Sequence, residues 1–295
     1  KKYGVEKFYD LATALSSHKP DFSVVATYPN SHMNIASHCI DANSHVFVEK
    51  PISSNLIGVR KILKKADSKK LKIAVGYNLR YDPGLNLIRT KLKNHEIAYP
   101  LAISSQWGHN IKSWRPGTSF KNHYVLKKGG GIILDDSHEY DYVRWLLDDD
   151  VKSVYCQTRQ MNSIKTQTES IAVMTLKFKK GTIATFVIDY IRTNYERKCH
   201  IIGEKDEVKW EYVPQKGSWK NYGAKANSIL MITSLNHNKN HKNNFTVKSN
   251  EMYIKEMKDF MYSITYNKKP FVDGWEGMKT LTIVSLHCYL LKPIK

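Results

Sequence analysis

Arginine, clustered cysteine and long apolar runs are all scarce in this chain of 295 residues. The net charge of +19 points first to nucleic acid. Yet arginine supplies only 8 of the 46 basic residues, and lysine the other 38. Arginine is the side chain suited to bidentate phosphate and base contacts, so its scarcity argues against nucleic acid. The lysines are spread along the chain among abundant asparagine, which describes a solvated surface. The four cysteines, Cys39, Cys156, Cys199 and Cys288, never fall within four residues of one another. That spacing excludes a zinc-ligand pair and reads as buried free thiols in a reducing compartment. No stretch approaches the roughly 18 apolar residues of a membrane span, and no signal-peptide core begins the chain. The expected setting is therefore cytoplasmic, with no membrane and no nucleic-acid partner.

What is present is an ordinary globular composition, 41% hydrophobic and 25% charged. The length accommodates two domains. The β-branched run Phe22–Thr27 predicts a buried strand, followed by a polar turn and a helix over His32–Ala42. A second strand is expected at His45–Val48, a helix over Leu56–Ala66, and a third strand at Lys72–Gly76. This alternation argues a parallel sheet with helices on its faces. A helix from Pro83 to Lys93 closes the region. Beyond Leu101 the pattern changes to strands at Leu101–Trp107, Val151–Gln157, Ser170–Lys177, Thr182–Tyr190 and Lys198–Ile202, the third and fourth joined at Lys179-Lys180-Gly181. One apolar-periodic helix is expected over Ile132–Leu147, and two more over Met252–Tyr266 and Trp275–Leu291. The Asn/Lys/His-rich tract within 234–250 reads as a flexible loop. It has no acidic or Cys partner, so no metal site is expected.

Three motifs carry chemistry. In a doubly wound sheet, ligands bind beyond the C-terminal ends of the strands. Two motifs stand there: Thr27-Tyr28-Pro29-Asn30-Ser31-His32 after the first strand and Glu49-Lys50-Pro51 after the second. A lysine so placed lowers the pKa of a substrate hydroxyl and adds positive charge beside an oxyanion. The competing reading is one more surface lysine at a strand end. The third motif is Gly129-Gly130-Gly131 leading into Asp135-Asp136-Ser137-His138. On one continuous helix Asp135 and His138 share a face, and a carboxylate beside an imidazole supports acid–base work.

In this order and separation the three motifs resemble the Gfo/Idh/MocA oxidoreductases, over about Lys2–Leu290. The resemblance implies an α/β fold with two parts. Residues 1–98 would form a Rossmann-like domain binding NAD or NADP, and 99–295 an α+β domain with an open, mainly antiparallel sheet for substrate and oligomerisation. It implies that Lys50 and His138 transfer protons and that Asp135 orients substrate or His138. Thr27, Tyr28, Asn30, His32, Glu49, Lys50 and Pro51 would line the nicotinamide-ribose side. Trp114 and Arg115 would face substrate, the alternatives being loop packing and a surface ion pair. Arg80 and Tyr81 match a family segment near the domain junction. Trp114-Arg115-Pro116, Ile188-Asp189-Tyr190, Arg192, Tyr195 and Ile201-Ile202-Gly203 resemble a subgroup associated with surface-polysaccharide and sugar-nucleotide pathways. The implied activity is hydride transfer at a hydroxyl or carbonyl of a sugar, cyclitol or nucleotide sugar, in a homo-oligomer.

Three departures stand out. Tyr28 replaces the family's usual proline. Asp135 lies three residues before His138 instead of four, so Asp136 could share its role. The chain has no Gly-x-Gly-x-x-Gly, the loop that cradles the pyrophosphate. The opening Lys1-Lys2-Tyr3-Gly4-Val5 resembles the segment leading into the third Rossmann strand. The expectation is an N-terminally truncated Rossmann domain, and the alternative function is a catalytically impaired homologue serving as a binding or interaction protein.

Overall fold

The computed structural model describes residues 4–114, 130–161, 168–215, 224–234, 239–248 and 250–290. Helix α1 (Leu11–His18) begins at Asp10, whose carboxylate accepts a 2.7 Å bond from Thr13 N. Strand β1 (Phe22–Val25), helix α2 (His32–Asp41), strand β2 (His45–Val48), helix α3 (Val59–Ser68) and strand β3 (Ile73–Val75) follow as expected. The three strands pair in parallel in the order β1-β2-β3. Val46 and Val48 are buried toward α2 and α3, in one core with Ala36, Ile40 and Leu63. Phe47 points the opposite way, as period-2 alternation requires. There it packs with Ala74 against Phe260. Phe260 lies on α8 (Glu251–Thr265), so a C-terminal helix covers the second face of the small sheet. Burying a side chain of that size contributes about 2–3 kcal/mol.

A one-turn 3-10 segment at Asn78–Tyr81 leads into α4 (Pro83–Lys93). Asp82 caps α4 and accepts from Leu85 N, Trp210 Nε1 and Ser228 Oγ at 3.0, 3.0 and 2.7 Å. Strand β4 (Ala102–Gly108) enters a second, larger sheet with β5 (Val151–Arg159), β6 (Ile171–Phe178), β7 (Ile183–Asp189), β8 (Glu196–Ile202), β9 (Asp206–Pro214), β10 (Lys225–Ser234) and β11 (Lys239–Lys248). Their order is β11-β10-β9-β8-β4-β7-β6-β5. Every neighbouring pair is antiparallel except β4 and β7. The chain between those two strands holds α5 (Ile111–Trp114), α6 (Ile132–Asp135) and α7 (His138–Leu147). Helix α9 (Gly274–Leu290) packs on β3, α3, α7 and β5, joining the two sheets. The segment before it continues the small sheet, with Val75 N donating to Val272 O at 2.9 Å. Among the described residues no helix is long and apolar enough to cross a membrane.

Two expectations fail. The helix over Ile132–Leu147 is broken at Asp136-Ser137, where Asp136 leaves helical geometry (φ −99, ψ 39). Asp and Ser side chains compete with the helical backbone for hydrogen bonds, and consecutive polar residues here favour a cap over a continuous turn. The Asn/Lys/His tract is not simply a loop, because Lys239–Lys248 forms the edge strand β11, paired over ten residues with β10. Residues 235–238 of that tract lie outside the described residues.

Candidate active site

The turns after β1 and β2 are held together by His32. Its ring is buried, with Nδ1 2.9 Å from Pro51 O and Nε2 3.0 Å from Thr27 O. The sequence placed His32 on the open side of these turns. The structure turns it inward, between the two carbonyls, to one of which a neutral ring can donate. Thr27, Tyr28 and Asn30 stay exposed around the turn, with Thr27 Oγ1 2.8 Å from Ser31 Oγ. Glu49 N donates to Val25 O at 2.9 Å, so the second turn is anchored on the first strand. A Cβ on Gly76 would stand 3.2 Å from Glu49 Oε2, which explains a glycine at that point. Burial raises the Glu49 carboxyl above its ordinary range, against the pull of the Lys50 charge and backbone N–H.

Lys50 crosses from this turn to α6. Its Nζ donates to the backbone carbonyl of Asp135 and lies 3.2 Å from Asp135 Oδ1. The other carboxylate oxygen, Oδ2, accepts a 3.0 Å bond from Tyr190 OH. Asp135 is held at this point by the start of α6. Gly131 has φ 106, and a Cβ there would meet Glu169 Oε1 at 2.2 Å. Glu169 accepts from Ile133 N through Oε1 and from Ile132 N through its carbonyl, both at 3.2 Å. A residue with a side chain could occupy neither that conformation nor that space. Gly130 is also described, whereas Gly129 lies outside the described residues.

His138 opens α7 beside this pair. Its ring stands edge-on to Tyr77, 5.6 Å between centroids, and Tyr77 OH donates to Ser137 Oγ at 3.1 Å. His138 Nδ1 is buried with no hydrogen-bond partner among the described residues. Burial, then the charges of Lys50 and Arg197, holds the imidazole well below its ordinary pKa, so it is neutral at pH 7. The expected Asp135–His138 pairing is not formed. The break at Asp136-Ser137 removes the shared helical face, and the Asp135 carboxylate goes to Lys50 and Tyr190 instead. Asp136 does not take the role either. It pairs with Arg197 Nη2 at 2.9 Å, while Arg197 Nε binds Glu139 Oε1 at 2.8 Å. Burial, then the Glu139 charge, pushes the Asp136 carboxyl well above its usual range. Glu139 is completed by Ser105 Oγ at 2.8 Å.

Arg80 is buried and bidentate on Asp141, with Glu276 Oε2 a further 3.2 Å contact. It packs inside the molecule, against partners on α7 and α9. Tyr81 OH donates to Asp259 Oδ2 at 3.3 Å. Trp114 ends α5, and its side chain, like the whole of Arg115, lies outside the described residues. Sequence reading missed two buried partners. Arg197 sits in a strand whose pattern carries no local mark of its role. Glu256 on α8 lies near Glu49, whose charge, after burial, helps push it up to about 9.

These residues suit the nicotinamide end of a dinucleotide. The exposed turn at Thr27, Tyr28 and Asn30 and the Glu49-Lys50-Pro51 turn follow the C-terminal ends of β1 and β2, where ligands bind in sheets of this kind. The sequence holds no glycine loop for the pyrophosphate end.

Comparison with known proteins gives the family. Residues 1–77 match the family described as "Oxidoreductase family, NAD-binding Rossmann fold", and residues 86–209 match its "GFO/IDH/MocA C-terminal domain". Myo-inositol 2-dehydrogenase of Thermotoga maritima is 24% identical over 290 residues, 96% of this chain and 81% of that enzyme. The inositol 2-dehydrogenase/D-chiro-inositol 3-dehydrogenase of Lacticaseibacillus casei is 28% identical over 64% of this chain, which spans only 53% of that protein. Among solved structures, aldose-aldose oxidoreductase from Caulobacter crescentus superposes with a TM-score of 0.81 at 15% identity, covering 98% of this chain and 84% of that one. UDP-N-acetylglucosamine 3-dehydrogenase from Acidithiobacillus ferrooxidans gives 0.76 at 16% identity, covering 98% and 85%. With both family models matched in order across a shared fold, the chain belongs to the Gfo/Idh/MocA family of NAD-binding oxidoreductases.

Proposed function

We propose that this chain transfers hydride between a nicotinamide and a hydroxyl-bearing carbon of a cyclitol, sugar or nucleotide sugar, with Lys50 and His138 handling the proton. The observation that carries this reading is the Lys50–Asp135 contact, which brings an ammonium from the Glu49-Lys50-Pro51 turn beside His138. The substrate class rests on the names of the relatives. The nicotinamide, when bound, supplies the hydride acceptor or donor. Thr27, Tyr28, Asn30, Glu49 and Pro51 would hold that end of it, and His32 would fix the turns that carry them. Lys50 donates to the substrate oxygen and stabilises charge developing on it. His138 is neutral at pH 7, so it can accept the hydroxyl proton in oxidation and return it in reduction. Trp114 and Arg115 are proposed to face the substrate. The division into residues 1–98 and 99–295 is kept as a proposal, with the cofactor on the first part.

Self-association is part of the proposal. Tyr155, Val173, Ile183, Ile202, Val213 and Met231 are exposed on the outer face of β5 to β10, alternating with buried neighbours. Six apolar side chains on one sheet face suit a second copy of the chain. Cys39, Cys156 and Cys199 are buried free thiols, which supports a reducing, cytoplasmic setting.

The test is a panel of cyclitols, aldoses and UDP-sugars with NAD(H) and NADP(H), comparing wild type with Lys50→Ala. The expected loss in kcat/KM is at least about 100-fold. Wild-type turnover in Lys50→Ala would remove the proposed role of Lys50.

A further inference from the structure

We propose that Tyr190 is a positioning residue for the Lys50–Asp135 pair. Lysine is a long, flexible point charge, and its ammonium goes where its partners hold it. Among the described residues, its partners include the carbonyl and Oδ1 of Asp135. The carbonyl is fixed by α6, but the carboxylate turns about a broad, roughly two-fold torsion. Tyr190 removes that freedom. Its hydroxyl donates to Oδ2 at 3.0 Å, a charge-assisted bond that leaves Oδ1 for Lys50.

Tyr190 is itself rigid. It is 1% exposed and follows directly on β7. Its N donates to Ser170 O and its carbonyl accepts from Ile111 N, both at 2.9 Å. Its ring stands edge-on to Trp107 at 6.3 Å and 81°. The hydroxyl is thus a fixed point of the large sheet, and through Asp135 it places an amine that belongs to the small sheet. Among the described residues, the charged and titratable groups acting around that amine include Glu49 on its own turn, Asp135 on α6, Asp136 between the helices and His138 on α7. Arg197 on β8 pairs with Asp136 and Glu139.

A carboxylate held against an ammonium keeps it charged to higher pH. Loosening the carboxylate therefore lets Lys50 lose its proton at lower pH. The experiment measures modification of Lys50 in the full chain by acetic anhydride across pH, read by peptide mass spectrometry. Tyr190→Phe, which removes one oxygen, is compared with wild type and with Asp135→Asn. The midpoint is expected to fall in both variants, by about half a unit or more in Tyr190→Phe and further in Asp135→Asn. Trp107→Phe, which loosens the ring and keeps the hydroxyl, is expected to shift it the same way by less, and it serves if Tyr190→Phe does not fold. A midpoint unmoved or raised in the folded variant overturns the proposal. In turnover, which rests on the dehydrogenase reading above, Tyr190→Phe is expected to lose about tenfold in kcat with KM within about twofold. If wild type turns over nothing in the panel, that reading fails, and the labelling result still decides the role of Tyr190.

Discussion

Arg80 grips Asp141 with two hydrogen bonds of 2.8 Å, both side chains only 2% exposed. Asp141 also accepts from Thr280 Oγ1 at 2.9 Å, and Glu276 bridges Arg80 to Arg144. Burial raises the Glu276 carboxyl, but the Arg144 and Arg80 charges outweigh it and hold it at about 2. The cluster ties the segment before α4 to α7 and α9. Arg80→Ala leaves the Asp141 carboxylate buried and unmatched, which costs about 3–5 kcal/mol. Thermal unfolding is expected to show this loss, with a smaller added loss when Asp141→Ala is combined with it. Simple addition of the two single losses would mean that the pair is not coupled.

His138 makes a pH prediction whose sign is fixed by its burial. A histidine with a depressed pKa in the folded chain contributes stability present above its ordinary value of 6.5 and lost as pH falls through the folded value. His138→Gln is therefore expected to flatten the decline in Tm on acidification below about pH 6.5. The same variant is expected to lose about 100- to 10,000-fold in turnover. Identical acid profiles of Tm for wild type and variant would contradict the neutral, buried imidazole.

Glu256 shows the opposite dependence. Burial, then the Glu49 charge, pushes its carboxyl from 4.5 to about 9, and its Oε2 has no hydrogen-bond partner among the described residues. A carboxyl with a raised pKa contributes stability that is full below its unfolded value and lost as pH rises through the folded one. Glu256→Gln keeps the shape without the charge. It is expected to be more stable than wild type at pH 9 and to narrow toward it as pH falls to about 4.5. Denaturant titrations at pH 5 and pH 9 give the comparison, and an equal difference at both would refute it.

Gly84 is a packing prediction. A Cβ there would stand 2.5 Å from Ser228 Oγ and 2.8 Å from Trp210 Cδ1. Those two groups donate to Asp82, the cap of α4. Gly84→Ala is expected to lose about 1–3 kcal/mol despite alanine's better helix propensity, because the clash separates α4 from β9 and β10. An increase in Tm would show that the strands yield at no cost.

The sequence made the small sheet legible because its strands are short β-branched runs between helices of matching length. β2 and α4 begin and end where expected, as His45–Val48 and Pro83–Lys93. The site was half legible. Lys50, Asp135 and His138 come from motifs local in sequence, but the pairing among them does not. It depends on the break at Asp136-Ser137, which two residues with cap-forming side chains announce only faintly. Arg197 reaches the site from a position within β8 and Tyr190 from the residue after β7; the Ile188-Asp189-Tyr190 segment stands out in the sequence, but nothing in it gives the phenol this task. β11 was hidden for a different reason. Its pairing comes from β10, and its only apolar alternation is Phe245 and Val247 among polar residues.

The parallel pairing of β4 with β7 makes the site depend on contacts far apart in sequence. The chain must leave β4, lay down α6 and α7, build β5 and β6, and return before β7 finds its place. Lys50 and Asp135 are separated by 85 positions, Asp135 and Tyr190 by 55, and Asp136 and Arg197 by 61. Contacts of such separation close slowly, since loop entropy is lost before they form. A site assembled from residues of both sheets is lost when either sheet opens locally.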